Sequence, residues 1–183
     1  FPLAVARLQT GDPLGAISLL QGLLRRFDQR ECWVMLAAAR MAAHQVDQAA
    51  EALGEALRRN APDRAMLGFI SDIAQAAGWP GWCGLSGDGT LSAVLGRGAS
   101  GTPEILMDGV PVKARSRNGR VVLPAGWAMA RSIAVSRHGI PLLGSPIDVA
   151  AVIRTEGFVE AVDGQLTGWV WHPGEPERAP EVI

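Results

Sequence analysis

The sequence predicts an α+β protein whose helices and strands lie in two separate halves. Residues 1–78 are rich in Ala, Leu and Met at helical spacing, whereas Gly, Pro and Asn-Gly interrupt the chain at short intervals from residue 82 onward. The composition changes at Gly78-Trp79-Pro80-Gly81, where the glycine can cap a helix and the proline cannot continue it. We therefore assign residues 1–78 to a helical part, 79–150 to a β unit and 151–183 to the truncated start of a second β unit.

The helical part contains an internal repeat. Residues 7–20 can be aligned with residues 40–53, which gives a period of about 33 residues. The turn position held by Gly11 in the first unit is held by His44 in the second. Because His tolerates a left-handed turn better than most residues, we predict that His44 is a turn residue and not a ligand or a base.

The second unit resembles the tetratricopeptide repeat. Trp33, Leu36, Ala49 and Pro62 match its pattern, whereas the Gly, Tyr and Phe positions of the pattern hold other residues. Trp33 and Leu36 are expected to fill the seam between the paired helices. The resemblance implies antiparallel helix pairs and a concave groove lined by the first helix of each unit. The groove candidates that it implies are Glu31, Val34, Ala38, Met41, Asp72 and Gln75. Since Lys and Asn do not dominate this lining, an apolar segment of a protein or peptide is the expected guest.

A third helix is predicted over residues 63–77, with Asp63 as its N-cap, but no partner helix follows it. Each repeat buries its apolar face only against a neighbour, so the open end needs a cover. The short connection through Trp79 and Trp82 therefore predicts that the β half docks directly on the helices, with one of these two side chains buried at the junction.

The β half is marked by the tight-turn dipeptides Asp108-Gly109, Asn118-Gly119 and His138-Gly139. The apolar runs between them predict strands near 91–96, 103–108, 110–116, 119–123, 131–137 and 140–143. Short strands joined by such turns are typical of an all-β antiparallel sandwich, here expected to be Ig-like.

The β half also repeats itself. Asp88-Gly89-Thr90-Leu91 is similar to Asp163-Gly164-Gln165-Leu166, and Phe158 would then stand where Trp82 stands. A unit of about 75 residues follows from this alignment, and its second copy begins near residue 151.

Residues 82–183 also resemble the β-rich segments that precede family 2 glycosyltransferase domains in bacterial polysaccharide-assembly proteins. The resemblance rests mainly on Glu156-Gly157-Phe158-Val159-Glu160 and on Gly168-Trp169-Val170-Trp171-His172-Pro173-Gly174. It implies that glycosyl transfer would be carried out by another domain, so no residue of this chain is assigned to that reaction.

No catalytic, metal or cofactor site is predicted. His44, His138 and His172 are the histidines, no G-x-S-x-G motif is present, and the glycines at 96, 98 and 101 lack the G-K-[ST] ending of a phosphate loop.

A net charge of -1 argues against nucleic-acid binding, and no apolar run is long enough for a membrane span. Cys32 and Cys83 are expected to be buried, reduced thiols, and we expect a cytoplasmic location.

Trp169 and Trp171 lie two residues apart and therefore share one face of a predicted strand. They form a sugar-binding platform if that face is exposed, and part of a core if it is buried. The sequence as a whole predicts a non-catalytic protein-interaction or scaffold module of a larger bacterial polysaccharide-assembly protein, and a carbohydrate-binding module is the alternative.

Overall fold

The computed structural model describes residues 1–59, 62–96, 101–113, 115–117, 120–162 and 165–171. It confirms the division into a helical half and a β half. Within its described residues, the helical half contains five α-helices and one 3₁₀ turn, Arg64–Met66, that leads into the last helix. The helices are α1 (Pro2–Gln9), α2 (Pro13–Leu24), α3 (Arg30–Ala42), α4 (Val46–Arg59) and α5 (Leu67–Ala76). Short connections join successive helices from α1 to α4, and each of these helices packs against the next.

Helices α1, α3 and α5 end in the same way. Each is followed by a residue with positive φ, which is 80° at Gly11, 58° at His44 and 73° at Gly78. At each of these ends two backbone N–H groups bond back to the last turn, as in a Schellman motif. The turn role predicted for His44 is therefore confirmed, and the spacing of the three ends extends the repeat to α5.

The described part of the β half contains two antiparallel sheets and a separate hairpin. Its strands are β1 (Gly81–Leu85), β2 (Thr90–Leu95), β3 (Glu104–Met107), β4 (Val110–Pro111), β5 (Arg115–Arg117), β6 (Arg120–Val122), β7 (Ser132–Arg137), β8 (Ile140–Pro141), β9 (Ile147–Asp148), β10 (Glu156–Val162) and β11 (Gln165–Trp171). One sheet has the order β1-β2-β6-β5, and the other has the order β4-β3-β7-β8 with β9 also paired to β7. Strands β10 and β11 pair with each other.

The strands predicted from the turn dipeptides are found close to their expected positions, with one exception. The single strand expected over 110–116 is instead two short strands, β4 and β5, which belong to different sheets. Asp108 and His138 have φ of 48° and 50°, and each is followed by a glycine with positive φ, as tight hairpin turns require. Asn118-Gly119 and Asp163-Gly164 lie outside the described residues. Strand β1 and the short helix α6 (Val149–Ile153) were not predicted. Helix α6 is capped by Asp148, whose carboxylate accepts N–H bonds from Ala150 and Ala151.

The two sheets enclose one apolar core. Its buried residues come from both sheets and from α6: Cys83, Leu85, Leu91, Ala93, Ile105, Val121, Leu123, Ile133, Val135, Leu142, Ile147, Val149 and Val152. The strand pattern explains this arrangement, since alternate residues of β2 and β7 are buried.

The halves are joined through β1, as the sequence predicted. Trp82 is 2% exposed and belongs to the core of the helical half, and its Nε1 donates a hydrogen bond of 3.0 Å to Ser71 Oγ of α5. Leu143 also enters the helical core, and its backbone N–H donates to Gly81 O while its carbonyl accepts from Cys83 N. Strand β1 therefore covers α5, which has no partner helix after it.

The hairpin β10–β11 reproduces the register of β1–β2. In β1–β2, Gly81 lies opposite Leu95 and is followed by Trp82. In β10–β11, Gly157 lies opposite Val170 and is followed by Phe158. This register agrees with the alignment of Phe158 with Trp82, which stays a prediction. The environments differ, because Phe158 is 51% exposed where Trp82 is buried.

Two smaller expectations are corrected. Asp63 precedes the 3₁₀ turn without a side-chain cap bond, and its carboxylate instead pairs with Arg30 at 2.9 Å. Trp33 was expected to fill the seam between helices, but it is only partly buried at the edge of the helical core. Its ring lies under the Arg59 guanidinium, 5.5 Å from the ring centroid.

Candidate ligand-binding cleft

One face of the hairpin β10–β11 is aromatic and exposed. Phe158 lies directly opposite Trp169, and Trp171 lies opposite Glu156, so these residues share a face. Their exposed fractions are 51% for Phe158, 56% for Trp169 and 41% for Trp171. The two Trp side chains are therefore exposed among the described residues, and sugar binding by them stays a prediction. We call the exposed face formed by Phe158, Trp169 and Trp171 the platform.

The platform ends in a cleft of about 250 Å³ between the hairpin and the helical half. One wall is formed by the connection between α2 and α3 and by the start of α3. The other wall is formed by Arg154, which precedes the hairpin, and by Glu156 and Trp171 of the hairpin. The lining residues are Phe27, Asp28, Gln29, Arg30, Glu31, Arg154, Glu156 and Trp171. Trp171 and Glu156 thus belong both to the platform and to the cleft.

Asp28 is held in place by two hydrogen bonds. Its carboxylate accepts from Trp33 Nε1 at 2.7 Å and from Arg59 Nε at 2.8 Å. Burial raises the pKa of Asp28, but the bonds from Trp33 and Arg59 and the charges of Arg59 and Arg154 outweigh burial, so the net pKa is lowered. Arg59 is itself fixed by Glu55, one turn earlier on α4. This network orders the helical wall of the cleft.

The opposite wall carries a guanidinium that is not fully satisfied. Arg154 forms a 3.3 Å ion pair with Glu156, and its Nε is buried without a hydrogen-bond partner among the described atoms. This Nε is closed off from the cleft, so a ligand there would meet the other N–H groups of the guanidinium, whose side chain is 33% exposed. The cleft thus combines an aromatic ring with fixed donors and acceptors.

The groove candidates do not converge on one site. Glu31 lines the cleft described above, whereas Asp72 and Gln75 line a different cavity of about 270 Å³ beside Trp79 and Trp82. Val34, Ala38 and Met41 are half-buried on α3, and Met41 packs against the helical core. A peptide groove along α3 and α5 stays a prediction.

Both cysteines are buried and unpaired, as expected. Burial raises the pKa of the Cys83 thiol, an effect that the charge of Arg58 only partly offsets. Burial is also the main reason why the pKa of Cys32 is raised. Neither thiol therefore has the lowered pKa that a nucleophilic cysteine needs.

The cleft was missed at the sequence level because its walls are distant in sequence. Residues 27–31 and residues 154–156 carry no shared motif, and only the packing of the β half on the helices brings them together. The charged and aromatic character of both stretches was visible, but it gave no sign of a shared site.

Within the described residues, no helix combines the length and the apolar character that a membrane span needs. In the same part of the chain, no group of three or more His, Cys, Asp or Glu residues is arranged to hold a metal ion. Comparisons with models of known protein families, with curated proteins and with solved structures find no match to this chain.

Proposed function

We propose that this chain is a non-catalytic, glycan-binding scaffold module of a bacterial polysaccharide-assembly protein. The observation that carries the proposal is the exposed aromatic face formed by Phe158, Trp169 and Trp171, which continues into a polar cleft. The resemblance of the β half to segments that precede glycosyltransferase domains supports the same reading. The unpaired thiols of Cys32 and Cys83 agree with a reducing compartment such as the cytoplasm.

A sugar ring matches this surface chemically. A pyranose has a flat face of C–H groups and a rim of hydroxyls, and indole rings likewise combine an apolar body with a polar edge. Trp169 and Trp171 are spaced by about 7 Å along one strand, so successive rings can contact a chain of sugar units. A protein partner would more commonly require a larger continuous apolar patch than one hairpin face provides.

The helical half is proposed to act as the scaffold for this surface. Because Trp82 and Leu143 are shared with the helical core, the helices and the β half are held in one arrangement. That arrangement keeps the α2–α3 connection opposite the hairpin, which a flexible linker would not do.

The proposal is tested by glycan binding to the whole chain. We expect a glycan array to detect binding, and isothermal titration with an oligosaccharide from the array to give a measurable Kd. Trp169→Ala is expected to weaken that Kd by about tenfold or more, equivalent to ~1.4 kcal/mol, because the stacking surface is lost. Since Trp169 is exposed, circular dichroism should report an unchanged fold.

Ile140→Ala serves as the matched control, since Ile140 is also a large, exposed strand residue but lies on β8. Its Kd should equal that of the wild type. The proposal is wrong if no glycan binds at millimolar concentration, or if Trp169→Ala binds as tightly as the wild type.

A further inference from the structure

We infer that the cleft between the α2–α3 connection and the hairpin is a subsite for one uncharged hexose unit, and that it discriminates against uronic acids. This inference rests on the proposed glycan-binding function and adds the class of sugar that the cleft accepts.

The size limits the ligand to a single sugar unit. The cleft measures about 250 Å³, which is below the roughly 300–1,000 Å³ that hold a drug-sized ligand. Trp171 and Phe27 supply aromatic surface for the ring. Because Trp171 also belongs to the platform, the neighbouring units of a glycan chain would extend from the cleft toward Trp169.

The charge of the cleft favours an uncharged ligand. Three carboxylates and two guanidinium groups line it, which leaves one net negative charge. Two residues outside the lining form ion pairs with it: Arg59 pairs with Asp28, and Asp63 pairs with Arg30. Their opposite charges cancel, so the net charge of the lining does not change. A carboxylate on the sugar would therefore meet like charge, whereas hydroxyl groups would not.

The hydrogen-bonding groups suit hydroxyls. Arg154, whose side chain is 33% exposed, offers guanidinium N–H donors on one wall, and the exposed Glu31 offers acceptor oxygens on the opposite wall. A hydroxyl both donates and accepts, so a sugar can satisfy both walls with adjacent groups. A carboxylate only accepts, so a carboxylate next to Glu31 could not donate a hydrogen bond to it.

The test compares oligosaccharides that differ only in charge. The probes are cellohexaose and β-1,4-mannohexaose, each measured against its counterpart oxidised to the uronic acid at C6, by titration with the whole chain at low salt. The wild type should bind the neutral member of each pair more tightly, by about tenfold. Glu31→Lys converts the net charge of the lining from negative to positive and should remove or reverse this preference.

Glu51→Lys makes the same charge change at an exposed position of α4 that does not line the cleft, and it should keep the neutral preference. The inference is overturned if the wild type prefers the oxidised probes, or if Glu31→Lys and Glu51→Lys behave alike. It is equally overturned if none of the four probes binds. Failure of the proposed function is distinguishable, because in that case the glycan array as a whole is negative and Trp169→Ala has no binding to lose.

Discussion

At the scale of single residues, Asp28 shows how one exposed carboxylate organises a wall of the cleft. It lies between α2 and α3, yet its two oxygens accept hydrogen bonds from Trp33 of α3 and from Arg59 at the end of α4. Trp33 was predicted from the repeat pattern as a core residue. It is partly buried and packs at the edge of that core, where its ring also contacts Arg59 and its N–H fixes Asp28.

The lowered pKa of Asp28 makes stability depend on pH at the acid end. A carboxyl whose folded pKa lies below its ordinary value of 3.8 stabilises the fold above that pH, and the contribution is lost as the pH falls through the lower folded value. We therefore expect Asp28→Asn to lower the free energy of unfolding by about 0.5–1 kcal/mol at pH 7, a modest value because the side chain is 46% exposed.

Urea unfolding of wild type and Asp28→Asn between pH 7 and pH 2.5 measures this contribution. The difference between the two should shrink below pH 3.8. Asp72→Asn, on the exposed face of α5, is the matched control and should change stability little at any pH. A constant difference for Asp28→Asn across the whole range would contradict the assignment.

At the scale of elements, the same hairpin occurs in two environments. Strand β1 directs Trp82 into the helical core and Cys83 into the β core, so both of its faces are buried. In β10 the equivalent aromatic residue, Phe158, and its neighbour Val159 are both exposed. The repeat was proposed from the Asp-Gly turns and the flanking residues and stays a prediction. Exposure could not be predicted from the sequence, because it depends on what packs against each face.

The second hairpin depends on glycine where its strands approach each other. A side chain at Gly168 would collide with the carbonyl oxygen of Phe158 on the neighbouring strand. We expect Gly168→Ala to disrupt the β10–β11 pairing while leaving the two main cores intact, because the hairpin forms a separate sheet. Amide hydrogen exchange should show loss of protection in residues 156–171 and unchanged protection in β7.

Gly22→Ala is the control for this prediction. Gly22 lies in α2 with no atom within 4 Å of the added carbon, so the substitution is expected to stabilise the helix by about 0.5–1 kcal/mol. If Gly168→Ala retains full protection in the hairpin, the close approach of the strands is not a constraint on this element.

At the scale of the whole molecule, most of the architecture followed from the sequence. The missing partner of α5 predicted that the β half would dock there, and the short connection selected Trp79 or Trp82 as the buried contact. Leu143 was not identified, since nothing in its local sequence indicates that it crosses to the helices. Its role depends on its parallel pairing with Trp82 and on the space left by Gly54 of α4, where a Cβ would lie 3.2 Å from Leu143 Cδ1.

Leu143 therefore offers a test of whether the halves unfold together. Its side chain is 2% exposed and lies in the helical core, although residue 143 is part of the β half in sequence. Leu143→Ala should cost about 2–5 kcal/mol through the cavity that it leaves. If the halves form one cooperative unit, helix content by far-ultraviolet circular dichroism and tryptophan fluorescence should still change in a single, shifted transition. Val110→Ala, which removes a 65% exposed side chain, should leave the midpoint nearly unchanged.

Two separate transitions in the wild type would contradict the docked arrangement, and so would a 1–80 fragment that is monomeric and melts as cooperatively as the full chain. Loss of cooperativity in that fragment is the expected result, because its last helix would lose the cover that Trp82 and Leu143 provide.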